Sequence, residues 1–248
     1  MARRLLVLGG TAEAAELARA AAGELPPGTD VITSLAGRTA PAPPLPGRVR
    51  VGGFGGADGL ADFLATERID LLIDATHPFA AAISAHGALA CARTGVPRLM
   101  LLRPPWTPVQ GDRWCDVASF TEAACLLPTL GRRVFLATGT GGIEAFAPLA
   151  DLWFLVRTIS PPPAPLPLAR HTLLVARPPF RRADEAALLD AHRIEVLVSK
   201  NSGGTADAKL AAARDRGLPV VMIRRPSPPP GERVESVPQA IAWLRARL

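Results

Sequence analysis

Short apolar segments alternate with alanine-rich segments of helical periodicity along most of this 248-residue chain. Segments such as LLVL near the N-terminus and VLVS before residue 200 are continuously apolar and lack the polar alternation of a half-exposed strand. Continuous apolar strands separated by helices are typical of βαβ units, in which helices cover both faces of a parallel sheet. The pattern therefore predicts an α/β fold with mainly parallel sheets.

The number of predicted elements favours two Rossmann-like lobes rather than one sheet. The proline-rich segment RPPWTPVQGD interrupts the periodicity, so we expect an N-terminal lobe over residues 1–103 and a C-terminal lobe over residues 104–248, with a last helix that is able to pack back on the first lobe. The predicted strands are Arg4–Leu8, Asp30–Thr33, Leu71–Asp74, Arg98–Leu102, Val134–Ala137, Trp153–Arg157, Leu173–Ala176, Val196–Ser199 and Val220–Ile223. The predicted helices are Glu13–Ala22, Gly59–Glu67, Ala80–Thr94, Thr121–Leu127, Gly142–Leu149, Arg182–His192, Thr205–Arg216 and Pro238–Arg247.

Composition limits the class of protein further. The hydrophobic fraction is 48%, yet no apolar run approaches the roughly 20 residues that a membrane span needs. The apolar part of the N-terminal segment MARRLLVLGG is too short for a signal peptide, so we expect a cytoplasmic protein that does not bind membranes. Three cysteines without a CxxC pair, far from the four histidines, predict neither a disulfide framework nor a metal site.

The net charge of +6 predicts an acidic partner. Arginines are spread along the chain and aromatic residues make up only 5%, so the basic patches and stacking platforms of nucleic-acid binding are missing. A small polyanion fits this charge better than a nucleic acid does. The sequence is compatible with a monomer or a small homo-oligomer.

Only two of the 28 basic residues are lysines, Lys200 and Lys209, and both lie in the segment SKNSGGTADAK. Lysine differs chemically from arginine, because its side chain ends in a compact ammonium that can release its proton. Lys200 ends a predicted strand, and the loop SKNSGG places hydroxyl, amide and ammonium groups where the next helix is predicted to begin, at Thr205. Such a loop is suited to binding an anion. Lys209 is equally consistent with an ordinary exposed lysine.

The N-terminal segment LLVLGGTAEAAEL has the pattern of a strand, a glycine turn and a helix. Gly9 and Gly10 allow a ligand to approach the backbone, and Thr11 is placed to cap a helix whose first amides attract phosphate. The full GxGxxG spacing is absent, so this segment alone is also consistent with a plain tight turn. The second strand is followed by Ser34 and Arg38 instead of an acidic residue, which favours NADP over NAD if a dinucleotide binds.

Two further motifs of the first half carry candidate ligand contacts. The segment VGGFGGADGL packs four glycines around Phe54 before a predicted helix, more than a structural turn usually needs. The segment DATHPFA follows a predicted strand, with Asp74 at its end and His77 held extended before a proline. His77 is a candidate for ligand contact or acid–base catalysis, although a hydrogen-bonded structural role fits a single histidine equally well.

The second half contains a similar arrangement, because FLATGTGG predicts a strand followed by a glycine-rich turn over residues 138–141 that is suited to an anion. Three predicted strands also run directly into Arg-Pro, at Arg103, Arg177 and Arg225. Proline ends the strand, so each arginine lies at a carboxyl end of the sheet, where open α/β folds bind ligands. A simple strand exit in an arginine-rich chain is the alternative.

Together these motifs resemble the precorrin-6A reductase family of cobalamin biosynthesis. The match runs in order over nearly the whole chain through GGTAEA, SLAGR, GGFGG, DATHPFA, RPPW, ATGTGG and SKNSGG. The resemblance implies two α/β lobes with a cleft between them, and NADPH-dependent reduction of one double bond of the precorrin-6A macrocycle to give precorrin-6B. The substrate would be a tetrapyrrole with carboxylate arms around its rim, which agrees with the positive charge of the chain.

The resemblance also implies roles for individual residues. Separately from the resemblance, we hypothesise that Lys200 is the first candidate, either for steering protonation of the macrocycle or for anchoring a carboxylate arm, and His77 the second, with water as the alternative source of the proton. The expected NADPH contacts are Gly9, Gly10, Thr11, Ser34, Gly37, Arg38, Gly53, Phe54, Gly55, Thr76, Pro78 and Phe79. The expected substrate contacts are Ser199, Lys200, Asn201, Ser202, Gly203, Gly204, Thr138, Gly139, Thr140 and Arg103.

Three alternatives stay open at this point. Close relatives of the family act on the cobalt-containing substrate of the anaerobic branch, and nothing in these motifs separates the two substrates. A non-catalytic NADP-binding regulator would need the first glycine turn but not a second anion-binding turn together with SKNSGG. A glycosyl- or methyltransferase of similar build would be expected to show an acidic catalytic pair or a methyl-donor loop, and neither is evident.

Overall fold

A computed structural model of the chain describes residues 3–37 and 44–248. The described residues form two compact units, one made of residues 3–104 and 226–248 and the other of residues 105–225. Each unit contains one six-stranded sheet. None of the helices in the described ranges is both long enough and apolar enough to cross a membrane.

The elements are numbered in chain order. The strands are β1 (Arg4–Leu8), β2 (Asp30–Leu35), β3 (Arg48–Val51), β4 (Leu71–Asp74), β5 (Arg98–Leu101), β6 (Arg113–Val117), β7 (Arg133–Leu136), β8 (Trp153–Thr158), β9 (His171–Val175), β10 (Val196–Lys200), β11 (Pro219–Ile223) and β12 (Glu232–Val234). The helices are α1 (Ala12–Glu24), α2 (Gly56–Thr66), α3 (Ala81–Thr94), α4 (Phe120–Leu126), α5 (Arg182–Ala191), α6 (Ala208–Asp215) and α7 (Val237–Arg245), with short 3-10 helices at Leu127–Thr129 and Ile143–Phe146.

The sheet of the first unit has the strand order β12-β5-β4-β1-β2-β3, and all of its strands are parallel. The order reverses between β1 and β4, because the chain first runs outward through β2 and β3 and then returns to the other side of β1. At such a switch point the loops that follow the two central strands leave a crevice at the carboxyl edge of the sheet. This crevice is the expected place for a ligand.

Strand β1 shows how the first unit buries its core. Leu5 and Val7 lie in a cluster with residues of α1 and α7, whereas Leu6 and Leu8 lie in a cluster with residues of α2 and α3. All four side chains are at most 1% exposed. A strand that is buried on both faces has a continuously apolar sequence, which is why the pattern predicts it.

The sheet of the second unit has the order β6-β11-β10-β7-β8-β9, again with all strands parallel. Its order reverses between β7 and β10, so these strands correspond to β1 and β4 of the first unit. One face is covered by α5 and α6, where Leu189 and Leu210 pack with Phe135 of the central strand. On this topology the second unit has its own switch point.

The first unit takes its sixth strand from the C-terminal part of the chain, whereas the second unit uses the consecutive strands β6 to β11. Strand β6 follows β5 in sequence but pairs with β11, whereas β12 follows β11 in sequence but pairs with β5. Helix α7 also belongs to the first unit, where Ile241 and Leu244 are buried with residues of β1 and α1. Residues 226–248 therefore belong to the first unit and not to the predicted C-terminal lobe over residues 104–248: β12 joins the first sheet, and α7 packs on the first lobe, as was expected of the last helix.

The other differences from the sequence pattern have local causes. The pattern misses β3, β6 and β12, which all lie at sheet edges and expose several of their residues, so none of them has a continuous apolar run. The helix predicted over Gly142–Leu149 is only the 3-10 helix Ile143–Phe146, since Pro148 cannot continue it. The helix predicted from Thr205 begins at Ala208, because two successive left-handed glycines precede it.

Candidate functional site

The motifs of the first unit lie at the carboxyl edge of its sheet. The GGT turn follows β1 and the DATHPF loop follows β4, so the two motifs flank the switch point. Thr11 connects them, because its hydroxyl donates to the carbonyl oxygen of Ala75 at 2.8 Å. The same hydroxyl oxygen accepts from the amide of Ala14 at 3.1 Å and so caps α1. The structure thus places the predicted cofactor residues at a helix N-terminus beside the crevice.

The two glycines of this turn have different surroundings. A Cβ added at Gly9 would lie 3.1 Å from Cγ2 of Thr33, so this position packs against β2. Gly10 has a φ of +112°, and a Cβ added there would meet nothing within 4 Å. Gly10 therefore faces open space beside the first amides of α1, which favour a phosphate group.

A small depression lies next to this turn. In it Arg103 donates to Oε2 of Glu13 at 2.7 Å. Glu13 is in the first turn of α1, where its charge alone would oppose a phosphate, and Arg103 offsets that charge. Arg103, predicted as a substrate contact, thus lies beside predicted cofactor residues. The depression is lined by Thr11, Glu13, Thr76, Pro78, Leu101, Leu102 and Arg103.

Hydrogen bonds within the DATHPF loop fix its shape. Oδ1 of Asp74 accepts from the amide of Thr76 at 3.1 Å and from its hydroxyl at 2.7 Å. Asp74 is 1% exposed, and its Oδ2 has no hydrogen-bond partner among the residues that the structure describes. Nδ1 of His77 accepts from the amide of Phe79 at 3.2 Å, so the neutral ring carries its proton on Nε2. The loop therefore presents a histidine of defined tautomer.

The predicted ribose site at the end of β2 contains a cation that sequence analysis missed. Arg50 on β3 pairs in register with Ser34, and its Nη1 donates to Oγ of Ser34 at 3.3 Å. Its guanidinium carbon lies 3.9 Å from the ring centroid of Phe54. The signal available in the sequence is the position of Arg50, two residues before GGFGG. Arg38, predicted to act here, lies outside the described residues.

The glycines around this cation shape the loops on either side of it. Gly37 has a φ of +72°, and a Cβ added there would approach Cγ1 of Val51 to 2.9 Å. Gly55 is the left-handed N-cap of α2, and a Cβ added at Gly53 or Gly55 would meet nothing within 4 Å. The loop from β3 to α2 therefore leaves open space beside Phe54.

In the second unit the remaining two motifs also flank the switch point. The ATGTGG turn follows β7, and SKNSGG begins at the end of β10, which is the neighbouring strand. Gly139 has a φ of +70° and open space around it. Nζ of Lys200 lies 3.7 Å from where a Cβ on Gly141 would be, and 5.5 Å from the ring centroid of Phe120. The structure therefore brings Lys200 to the turn that contains Thr138 and Thr140.

Hydrogen bonds with other residues of the second unit fix the position of the SKNSGG loop. Asn201 accepts from the amide of Trp106 at 2.8 Å and donates to its carbonyl at 2.9 Å. Arg225 donates to the carbonyl oxygens of Asn201 at 2.7 Å and Ser202 at 2.8 Å. Ser199 is fully buried, and its hydroxyl donates to the following carbonyl oxygen at 3.2 Å. The side chains of Ser199 and Asn201 therefore have contacts within the second unit, and their contact with substrate stays a prediction.

The second lysine is buried, unlike the exposed lysine considered from the sequence. Nζ of Lys209 donates to the carbonyl oxygen of Ala206 at 3.0 Å and lies 4.5 Å from the ring centroid of Trp106. Together with the left-handed Gly203 and Gly204 it shapes the loop before α6. Of the two lysines, the one at the glycine-rich turn is thus Lys200.

Comparison with known proteins agrees with this geometry. Residues 4–245 match the family model described as Precorrin-6x reductase CbiJ/CobK. The chain belongs to this family. It is 53% identical to the precorrin-6A reductase of Rhodococcus erythropolis and 49% identical to that of Mycobacterium tuberculosis, with 97% of both chains covered in each case. A solved structure of CobK precorrin-6A reductase has a TM-score of 0.92 at 42% identity, covering 99% of this chain and 97% of that one.

Family membership confirms several predictions made from the sequence. The comparisons confirm the resemblance to the precorrin-6A reductase family and the activity of a reductase in cobalamin biosynthesis. They also confirm the α/β fold with two lobes of parallel strands. The two alternatives from other classes, a non-catalytic regulator and a transferase, gain no support from these comparisons.

Proposed function

We propose that this chain reduces precorrin-6A to precorrin-6B with NADPH. A hydride and a proton add across one double bond of the macrocycle, and NADPH becomes NADP⁺. The observation that carries this proposal is the GGT turn at the N-terminus of α1, which is hydrogen-bonded to the DATHPF loop at the switch point of the first sheet. Precorrin-6A is the substrate in the names of relatives that share about half of the sequence.

The first unit is the proposed NADPH-binding unit. The dinucleotide fits the capped N-terminus of α1, the open space at Gly10, and a β2 end that has a cation in place of an acidic residue. NADPH supplies a hydride when it is bound, and the protein supplies binding, orientation and charge. The proposed contacts are Gly9, Gly10, Thr11, Ser34, Gly37, Arg38, Gly53, Phe54, Gly55, Thr76, Pro78 and Phe79.

The second unit is proposed to bind carboxylate arms of the tetrapyrrole. Its glycine-rich turn and the ammonium of Lys200 lie together at the carboxyl edge of a parallel sheet. A compact cation beside exposed backbone amides suits a single carboxylate group. The proposed contacts are Thr138, Gly139, Thr140, Lys200, Ser202, Gly203 and Gly204, and Arg103 is proposed for an arm that reaches the first unit.

Lys200 is the first candidate for steering the proton to the macrocycle, because its ammonium is a donor that can lose a proton. His77 is the second candidate, because its Nε2 carries the proton of the neutral ring. Either group would act on the carbon next to the one that accepts the hydride. A positioned proton donor typically contributes a factor of about 10² to 10⁴ in rate.

Three substitutions test the role of Lys200. With saturating NADPH and precorrin-6A, Lys200→Ala should lower kcat by roughly 100-fold, the lower end of what a proton donor contributes. Lys200→Arg keeps the charge but holds its proton, so a similar loss of kcat with KM for precorrin-6A unchanged would identify a proton-transfer role. Arg113→Ala is the control, because Arg113 begins β6 at the amino edge of the same sheet. Unchanged turnover of Lys200→Ala would end this assignment.

The preference between the two macrocycles is tested by comparing them directly. The relatives at 53% and 49% identity are named for precorrin-6A, which supports the cobalt-free substrate. We expect a higher kcat/KM for precorrin-6A than for cobalt-precorrin-6A at saturating NADPH. A higher kcat/KM for cobalt-precorrin-6A would instead identify the cobalt-containing macrocycle as the substrate.

A further inference from the structure

We propose that Arg50 binds the 2′-phosphate of NADPH and thereby sets a preference for NADPH over NADH. This inference rests on the proposed function, since it concerns the same dinucleotide. It assigns the specificity for the phosphate to a residue of β3, a strand that the sequence pattern did not predict. The assignment follows from the position, the contacts and the charge of Arg50.

The position of Arg50 is the place where Rossmann-like units distinguish the two cofactors. In such units the end of the second strand reads the ribose 2′ position, with a carboxylate for NAD or a nearby arginine for NADP. Here β2 ends at Leu35, and Arg50 pairs with Ser34, the residue before that end. The guanidinium therefore lies where a 2′-phosphate is expected.

The contacts of Arg50 hold its guanidinium in place before any ligand binds. Nη1 donates to the carbonyl oxygen of Gly52 at 2.6 Å and Nη2 donates to that of Gly53 at 2.5 Å. The ring of Phe54 supports the guanidinium plane from 3.9 Å. A Cβ added at Gly52 or Gly53 would meet nothing within 4 Å, so the space beside this arrangement is open. A fixed cation loses little conformational freedom when it binds an anion.

Within residues 3–37 and 44–248, no carboxylate neutralises the charge of Arg50. The contacts of its side chain there are with one hydroxyl, two carbonyl oxygens and two aromatic rings. Arg48, two residues earlier on the same strand, instead pairs with Asp30 at 2.9 Å and Glu67 at 3.1 Å. An arginine without a carboxylate partner is the better match for a phosphate dianion. The proposed contact of Arg38 is compatible with this one, because a phosphate accepts from two guanidinium groups.

Calorimetric titration of the full chain with 2′,5′-ADP and with 5′-ADP tests the proposal without turnover. The wild type should bind 2′,5′-ADP at least about tenfold more tightly, since a hydrogen bond to a charged group is typically worth that factor or more. Arg50→Leu should lower the affinity for 2′,5′-ADP by about 10- to 100-fold and change that for 5′-ADP by less than about threefold. Arg50→Gln, which keeps amide donors for the two carbonyls, should show the same loss if the leucine variant does not fold.

Arg48→Leu is the matched control, because it removes the same charge from the same strand, and it should leave the ratio of the two affinities unchanged. In steady-state assays with precorrin-6A, the ratio of kcat/KM for NADPH to that for NADH should fall in Arg50→Leu by the factor seen in calorimetry. Equal weakening of both nucleotides, or weakening of neither, would overturn the role of Arg50. A wild type that discriminates between the nucleotides but never oxidises NADPH with precorrin-6A would overturn the proposed function instead.

Discussion

Gly10 combines two properties that a side chain at this position would remove. Its φ of +112° is rarely adopted by other residues, and the space beside it is open. Gly9, the preceding residue, instead packs against Thr33. The sequence predicts a glycine turn here, but only the structure shows which of the two glycines faces open space beside the N-terminus of α1, where we propose that phosphate binds.

Gly10→Val is expected to raise KM for NADPH by about tenfold or more, because the isopropyl group would occupy the space proposed for the pyrophosphate and would strain the backbone. Gly28→Val is the matched control, since Gly28 also has a positive φ, +88°, and open space, but precedes β2 at the amino edge. Both variants should lose thermal stability, and only the first should lose affinity for NADPH. Equal KM values in the two variants would contradict a pyrophosphate site at Gly10.

Cys91 is expected to be a poor nucleophile in the folded protein. Burial raises the pKa of its thiol from 9.0 to about 11, while Arg98 opposes the rise and Asp74 adds to it. At pH 8 a thiol reagent should label the exposed Cys125 quickly and Cys91 only after unfolding. Labelling of Cys91 at the rate of Cys125 would contradict its burial.

The raised pKa of the Cys91 thiol also predicts how the free energy of unfolding depends on pH. Because its pKa is higher in the folded state, the folded chain holds this proton more tightly, so the associated stability is present below pH 9 and is lost as the pH rises toward about 11. Urea unfolding of the wild type and of Cys91→Ala across this range measures the effect. The wild type should lose more stability with rising pH than the variant does, and parallel curves would contradict the assignment.

At the scale of elements, the burial of a strand determines whether the sequence pattern predicts it. Strand β1 is apolar throughout because helices cover both of its faces, and the pattern finds it within its observed bounds. Strand β3, with the sequence RVRV, is an exposed edge strand whose arginines interrupt any apolar run. The candidate cation Arg50 was missed together with its strand, because its only signal in the sequence is its position two residues before GGFGG.

The loops of the candidate site could be predicted from the sequence, whereas the contacts that their side chains make within the fold could not. Glycines, threonines and Lys200 marked the turns after β1, β7 and β10, because these residue types have distinct conformational and chemical preferences. Asn201 was expected to face the substrate, but it is bonded to the backbone of Trp106, which lies far away in sequence. A contact of that kind depends on the tertiary fold and is absent from any local pattern.

Helix α7 should contribute strongly to the stability of the first unit. Leu244 is fully buried in the cluster that α7 forms with α1 and β1, so Leu244→Ala should lower the free energy of unfolding by about 2–5 kcal/mol. Leu89→Ala on α3 is the control, because Leu89 is 52% exposed and its substitution should cost well under about 1 kcal/mol. Urea denaturation measures both, and a small loss for Leu244→Ala would contradict the placement of α7.

At the scale of the whole molecule, the order of strands in the sheets differs from their order in the chain. Both sheets reverse their strand order at the centre. The second unit is built from the consecutive strands β6 to β11, whereas the first takes its sixth strand, β12, from beyond the segment that supplies β1 to β5. The sequence predicts two lobes from the number of its predicted elements, with the boundary at the proline-rich segment RPPWTPVQGD. It does not predict that β12 joins the first sheet, because β12 is only three residues long and largely exposed.

Transfer of deuterium from NADPH labelled at nicotinamide C4 tests the central claim of this account most directly. The purified chain is incubated with precorrin-6A and each of the two C4-deuterated epimers of NADPH, and the tetrapyrrole product is analysed by mass spectrometry. The account predicts that one epimer delivers its deuterium to the macrocycle, that the second hydrogen comes from solvent, and that one NADPH is oxidised per precorrin-6B formed. Precorrin-6A recovered unreduced, or a product without deuterium from either epimer, would contradict it.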